Sequence, residues 1–183
     1  MKVLVFSDAH GATSGIEQAL SLHKDARHVI FLGDGVREVE EISYCYPERQ
    51  FYLLAGNCDF GADAPSEAVW TLGGVRIFAC HGHTVRVKYG LELAVARARA
   101  SGAKVLLYGH THEAYTEYRD GLYIMNPGSI ALPQASSHKQ YGLLEVSDKG
   151  ILTSIAILFP VYALGRRIAP VSRPDPVPDA GGG

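Results

Sequence analysis

The sequence predicts an α/β fold with a mixed sheet or two packed sheets and helices outside. Three observations lead there. Short apolar runs alternate with helix-like stretches through the first half of the chain, each run closes on Asp, Asn or His, in four of the five with glycine beside it, and after Thr111 the alternation gives way to strand pairs joined by tight turns. The apolar runs are VLVFSD, HVIFLGD, QFYLLAGN, RIFACHGH and KVLLYGHTH, rich in Val, Ile, Leu, Phe and Tyr. Between them SGIEQALSLHKDA, VREVEEISYCYPE and LELAVARARASG carry apolar residues at helical spacing, with Ser14 placed to cap the first and Gly102 to stop the third. Strand–helix alternation of this kind argues for parallel pairing. Beyond Thr111, AYTEYRDGLYIMN and YGLLEVSDKGILTSIAILF read as two antiparallel hairpins turning at Asp120-Gly121 and Asp148-Lys149-Gly150.

With 183 residues, 47% of them hydrophobic, the chain has enough apolar matter for one domain with a sizeable core, expected over residues 1–164. From Gly165 the sequence GRRIAPVSRPDPVPDAGGG is rich in Pro and Gly and poor in apolar periodicity, so residues 165–183 read as a tail. Seventeen basic and 19 acidic side chains leave a formal charge of -2, and neither a basic stripe nor an aromatic stacking platform argues for a nucleic-acid partner. The longest apolar run, ILTSIAILFPVYAL, is too short to span a membrane and contains Pro160. Three cysteines at unrelated spacings and an N-terminus without a signal-peptide layout point to a reducing, cytoplasmic setting.

Loops leaving the carboxyl edge of parallel strands converge, and ligands bind in that crevice. The five runs deliver to it, in order, Asp8 with His10, Asp34, Asn57, His81 with His83, and His110 with His112. Each has an ordinary structural reading taken alone: a helix cap for Asp8, a turn for Asp34, an Asx-turn for Asn57, a core histidine for His81. Together, at five successive strand ends, they read as a metal site. In an extended chain alternate side chains share a face, so His110 and His112 are expected to point the same way. The remaining histidines, His23, His28 and His138, lie outside these motifs and read as structural.

The motifs SDAHG, GDG, GNCD, HGH and GHTH, in that order and followed by NPGS, resemble those of the calcineurin-like metallophosphoesterase superfamily. In length and compactness the chain is similar to the small bacterial and archaeal phosphodiesterase branch, and to the retromer subunit with a phosphoesterase fold. The resemblance implies a four-layer αββα sandwich of two mixed β-sheets flanked by helices. It implies two divalent metal ions, one held by Asp8, His10, Asp34 and His112, the other by Asp34, Asn57, His81 and His110, with Asp34 bridging. Imidazole-rich sites of this kind suit manganese first, with nickel, iron or zinc as alternatives. Two dications, two aspartates and a bridging hydroxide leave one net positive charge, which favours an anionic phosphoester. Metal-bound water can fall in pKa from about 16 to about 7, so no side-chain nucleophile is needed. In-line attack by that hydroxide on phosphorus is the expected mechanism.

One departure concerns the proton donor. Where the protein phosphatase branch has a histidine after the ligand asparagine, this chain has Cys58, a free thiol that reads as inert packing. His83 is the substitute candidate, facing as His81 does if the strand continues, and Asp59 is expected to orient a ligand histidine through a hydrogen bond. Arg37 is a further candidate for phosphate contact. The function expected is a two-metal phosphoesterase, foremost a phosphodiesterase, acting on a small phosphoester with no membrane partner; a homo-oligomer is compatible with the sequence. The alternative is a non-catalytic metal-binding interaction scaffold resembling the retromer subunit.

Overall fold

The structure is a computed structural model and describes residues 1–134 and 136–159. Two five-stranded sheets lie face to face. The first runs β10-β9-β1-β2-β3, with β1 Lys2–Phe6, β2 His28–Phe31 and β3 Gln50–Leu53 parallel, β9 Gln140–Ser147 antiparallel to β1, and the edge strand β10 Gly150–Ile157 antiparallel to β9. The second runs β4-β5-β6-β8-β7, with β5 Val75–Cys80, β6 Val105–Tyr108 and β8 Leu122–Pro127 parallel, and β4 Glu67–Leu72 and β7 Ala114–Arg119 as antiparallel edges.

Side-chain alternation along the central strands sorts the core into three seams. On β1, Val3 and Val5 face the other sheet while Leu4 and Phe6 face α1 (Ser14–Leu22) and α2 (Val36–Tyr44), whose Ile16, Leu20 and Val39 cover them. On β6, Val105 and Leu107 meet β1 and β2 across the middle, and Leu106 and Tyr108 pack with Ala94 and Ala98 of α3 (Glu92–Ala100). Both strands are buried on both faces, which is why they read as unbroken apolar runs. The order of layers is therefore helix, sheet, sheet, helix, the four-layer sandwich that the resemblance implies.

Three local expectations change. Thr13 rather than Ser14 stands at the start of α1, with no side-chain cap, and Ser14 is the first helical residue. The strand β4 went unread in the sequence; it joins β5 through Gly73-Gly74, both at positive φ (55° and 77°), the conformation of a two-residue hairpin turn. The expected tail, residues 165–183, lies outside the described residues, as does the domain limit at 164. Both hairpins after Thr111 form as expected, and no helix among the described residues is long and apolar enough to cross a membrane.

Candidate metal centre

The motif residues lie one to four positions past the carboxyl ends of β1, β2, β3, β5 and β6, and both sheets contribute. The backbone there is unusual. Among the described non-glycine residues, seven have positive φ, and five of these are Asp8 (56°), His10 (44°), Asp34 (62°), His110 (69°) and His112 (60°). Such left-handed conformations cost about 1–3 kcal/mol each and persist where surrounding structure fixes them. Here the fixing contacts are on hand. Asp8 N–H donates to Gly33 O and His10 N–H to Asp34 O, both at 2.9 Å, stitching the first loop to the second. The second and third loops meet so closely that a Cβ on Gly33 would lie 2.8 Å from the Gly56 Cα, and a Cβ on Gly56 would run into the Asp34 carboxylate.

The donor atoms converge from four sides. His112 Nε2 lies 3.3 Å from both Asp8 Oδ1 and His10 Nε2; His10 Nε2 lies 3.8 Å from Asp34 Oδ2; His81 Nε2 lies 3.6 Å from Asp34 Oδ2 and 3.2 Å from Asn57 Oδ1. Donors about 2.1 Å from a shared ion in tetrahedral array stand roughly 3.4 Å apart, so this spacing suits cations. Asp8, His10 and His112 form one compact set, and Asp8, Asp34 and His81 another, so Asp8 as well as Asp34 reaches toward both halves. Asp8 Oδ1 is buried and has no hydrogen-bond partner, a costly state that a bound cation would relieve.

Two backbone carbonyls set the imidazoles. His81 Nδ1 is 2.8 Å from Leu32 O, and His112 Nδ1 is 2.8 Å from Leu132 O. A carbonyl oxygen only accepts, so each Nδ1 holds a proton and donates, leaving the Nε2 lone pair turned toward the centre. Burial works to raise the pKa of Asp8, but the imidazoles of His112 and His81 outweigh it and hold the carboxyl below its ordinary value. The Asp8 contact raises His112, against burial, whereas burial and then His81 and Lys88 push His110 down to about 4.

Several expectations about single residues need correcting. The strand β6 ends at Tyr108, and His110 and His112 both turn left-handed, so they do not share a face: His112 joins Asp8 and His10, while His110 packs its ring 5.1 Å from that of His81 and stands outside the compact donor sets. Nor does β5 continue to His83; its ring reaches His81 (5.4 Å) through the Gly82 turn, and its Nδ1 is buried without a partner. Asp59 does not bond a histidine. Its Oδ2 accepts the N–H groups of Asp34 and Gly56 at 2.7 Å, and its Oδ1 those of Gly35 (2.7 Å) and Val36 (3.0 Å), so it clamps the two loops at the start of α2. Cys58 is exposed rather than packed away, within reach of His10 and Asp34, and its N–H donates to Asp34 Oδ1 at 2.8 Å. Arg37 donates to Phe60 O.

Two positioning residues escaped the sequence reading. Buried Asn126 donates to Gly109 O (3.1 Å) and Thr111 Oγ1 (2.9 Å), holding the GHTH loop from the neighbouring strand. Ser129 Oγ donates to Asp8 O at 2.8 Å and accepts from Leu132 N–H at 2.7 Å, so one hydroxyl ties Asp8 to the residue whose carbonyl orients His112. Their motif, NPGS, was visible, but only the placement of β8 beside β6 shows what it touches. The other histidines bond elsewhere: His23 to Tyr141, His28 to Tyr52, His138 to Ser137.

The calcineurin-like phosphoesterase superfamily domain matches residues 1–149. The chain belongs to that superfamily. The chain is 33% identical over 150 residues to the probable metallophosphoesterase YsnB of Bacillus subtilis (strain 168), covering 81% of the chain and 86% of YsnB. It is 30% identical over 188 residues to the phosphodiesterase YfcE of Escherichia coli (strain K12), covering 86% of the chain and 98% of YfcE. The crystal structure of Vps29 from Entamoeba histolytica complexed with zinc superposes with a TM-score of 0.67 at 22% identity, covering 86% of the chain and 99% of Vps29, a likeness of fold. The family is one of metal-dependent phosphoester hydrolases, and the donor set of this chain suits divalent cations of the imidazole-binding kind.

Proposed function

We propose that the protein is a two-metal phosphoesterase, foremost a phosphodiesterase, with Asp8, His10, Asp34 and His112 holding one divalent cation and Asp34, Asn57, His81 and His110 the other. Manganese is the first candidate. The observation that carries this reading is the unpaired Asp8 Oδ1, buried 3.3 Å from His112 Nε2, in a cluster that also holds Asp34 and His81. Bound cations would supply an activated water and offset the charge of the phosphoryl oxygens. The chain's own part is positional: Asp34 faces both histidine groups, the carbonyls of Leu32 and Leu132 fix the rings, and the Asp59 clamp holds the loops that present Asp34 and Asn57.

The test is to strip the protein with chelator, restore Mn, Ni, Zn or Mg singly, and assay bis(p-nitrophenyl) phosphate and p-nitrophenyl phosphate, with Asn57→Ala alongside. Diester turnover should return with Mn and fall sharply in the variant. Inactivity toward both esters with metal verifiably bound would favour the interaction scaffold instead.

His83 is proposed as the group facing the leaving oxygen. Its Nδ1 is buried without a hydrogen-bond partner and its ring lies 5.4 Å from that of His81, which leaves a ring nitrogen free beside the centre to meet the leaving group. Such a donor matters in proportion to the basicity of the departing alcohol. His83→Ala should therefore lose about 10²-fold in kcat on alkyl-leaving diesters but only a few-fold on p-nitrophenyl diesters. Equal losses on the two would remove His83 from this position.

A further inference from the structure

We propose that the groove beside His112 receives a planar aromatic arm of the phosphoester, seated against the Tyr115 ring, with the phosphate's charge facing Lys88. The inference rests on the hydrolytic reading above and names its substrate class. The groove measures about 770 Å³, within the range of pockets that hold small organic groups, and opens directly off Thr111 and His112. Val87, Leu91 and Tyr115 make its apolar walls.

Tyr115 is built as a fixed plate. It lies on the edge strand β7 and is 39% exposed, yet its hydroxyl donates to Glu117 Oε2 at 2.8 Å. Glu117 is itself gripped by Arg119 through Nε (2.9 Å) and Nη2 (2.7 Å). An open ring face whose rotamer is already held offers a flat partner at little entropic cost, and aromatic pairs gain beyond their buried area.

The opposite side is equally prepared. Lys88 sits in a one-turn 3-10 helix, Val87–Tyr89, entered through left-handed Arg86 (φ 54°). That turn is locked to the HGH motif: Val87 N–H donates to Gly82 O at 3.2 Å, and the Val87 methyls fill the space that a Cβ on Gly82 would need. Among the described residues Lys88 has no carboxylate within ion-pair distance, and it lines the same groove as Thr111 and His112. An unpaired cation, a rigid ring and the donor cluster thus line one path. A phosphoester anion with a planar substituent satisfies all three, whereas a short alkyl arm leaves the Tyr115 face in water.

The experiment titrates Mn-loaded full-length protein with phenylphosphonate and methylphosphonate, which contain no scissile ester, by calorimetry. Phenylphosphonate should bind about tenfold more tightly, the scale of one good aromatic contact. Tyr115→Ala should erase that preference, Tyr115→Phe, which keeps the ring but loses its tether to Glu117, should retain only part of it, and Lys88→Ala should weaken both ligands alike. Unchanged preference in Tyr115→Ala, or equal binding of the two ligands by the parent protein, overturns the proposal. Turnover of p-nitrophenyl methyl and p-nitrophenyl phenyl phosphates is measured in parallel. A parent protein that shows the Tyr115-dependent preference but hydrolyses neither ester supports the groove and removes the hydrolytic reading; hydrolysis of both with equal kcat/KM, and no binding preference, does the reverse.

Discussion

Asp34→Asn should lower kcat/KM on a diester substrate by about a thousandfold, the scale of losing one strong electrostatic group from a reacting centre. Asp34 is 2% exposed, and its Oδ2 faces His10 and His81 while its Oδ1 accepts the Cys58 N–H. Like Asp8, it faces histidines from both sheets. The amide is nearly isosteric, so the fold and the Cys58 contact can survive while the negative charge does not. Metal content after gel filtration, measured beside the kinetics, should fall with activity. The exposed α2 residue Glu41, changed to Gln, serves as the control and should match the parent protein. Full activity in Asp34→Asn would remove Asp34 from the centre.

The second large effect is expected at Asp59, in stability. Four backbone N–H groups end on its two oxygens, and hydrogen bonds to a charged acceptor contribute about 1.5–3 kcal/mol each in favourable cases. The site is partly open to water, so Asp59→Ala should cost about 2–4 kcal/mol in all, read as a lower midpoint in denaturant. Activity should fall as well, because the loops of Asp34 and Asn57 lose their shared anchor. The sign of the pH dependence follows from the same contacts. Burial tends to raise the carboxyl pKa, but the four N–H donors prevail and hold it below the ordinary value. A depressed folded pKa stabilises the fold above the unfolded value of about 3.9 and loses that contribution as pH falls through the folded one. The stability gap between the parent protein and Asp59→Ala should therefore be full at neutral pH and close in acid below about pH 4. A gap that is constant across that range would mean that the carboxylate's charge does not hold the loops.

What the sequence made legible, and what it hid, divides along a physical line. Strand runs such as that of β1 and β6 declare themselves because burial on both faces demands continuous apolar residues. The candidate donors declare themselves only as a set, because each alone has an ordinary structural reading while their recurrence at five successive strand ends does not. β4 was hidden because its partly exposed residues, with Trp70 among them, carry a weak pattern, although the Gly73-Gly74 turn was there to be read. The direction of His110 and His112 was misjudged because periodicity speaks only for regular backbone, and these residues leave it. Asp59 looked like a partner for a side chain when its partners are main-chain groups 23 to 25 residues away, together with one three residues away, which no local spacing encodes. Asn126 and Ser129 act across distances of 15 to 121 residues for the same reason.

The loops that carry Asp8, His10, Asp34 and Asn57 belong to one sheet, and those that carry His81, His110 and His112 to the other. A cation seated between them is thus a rivet through the sandwich, fastening at one rim two slabs otherwise joined by greasy contact. On the proposed reading chemistry and mechanical integrity share the same atoms, and loading the centre should resist the slabs' parting.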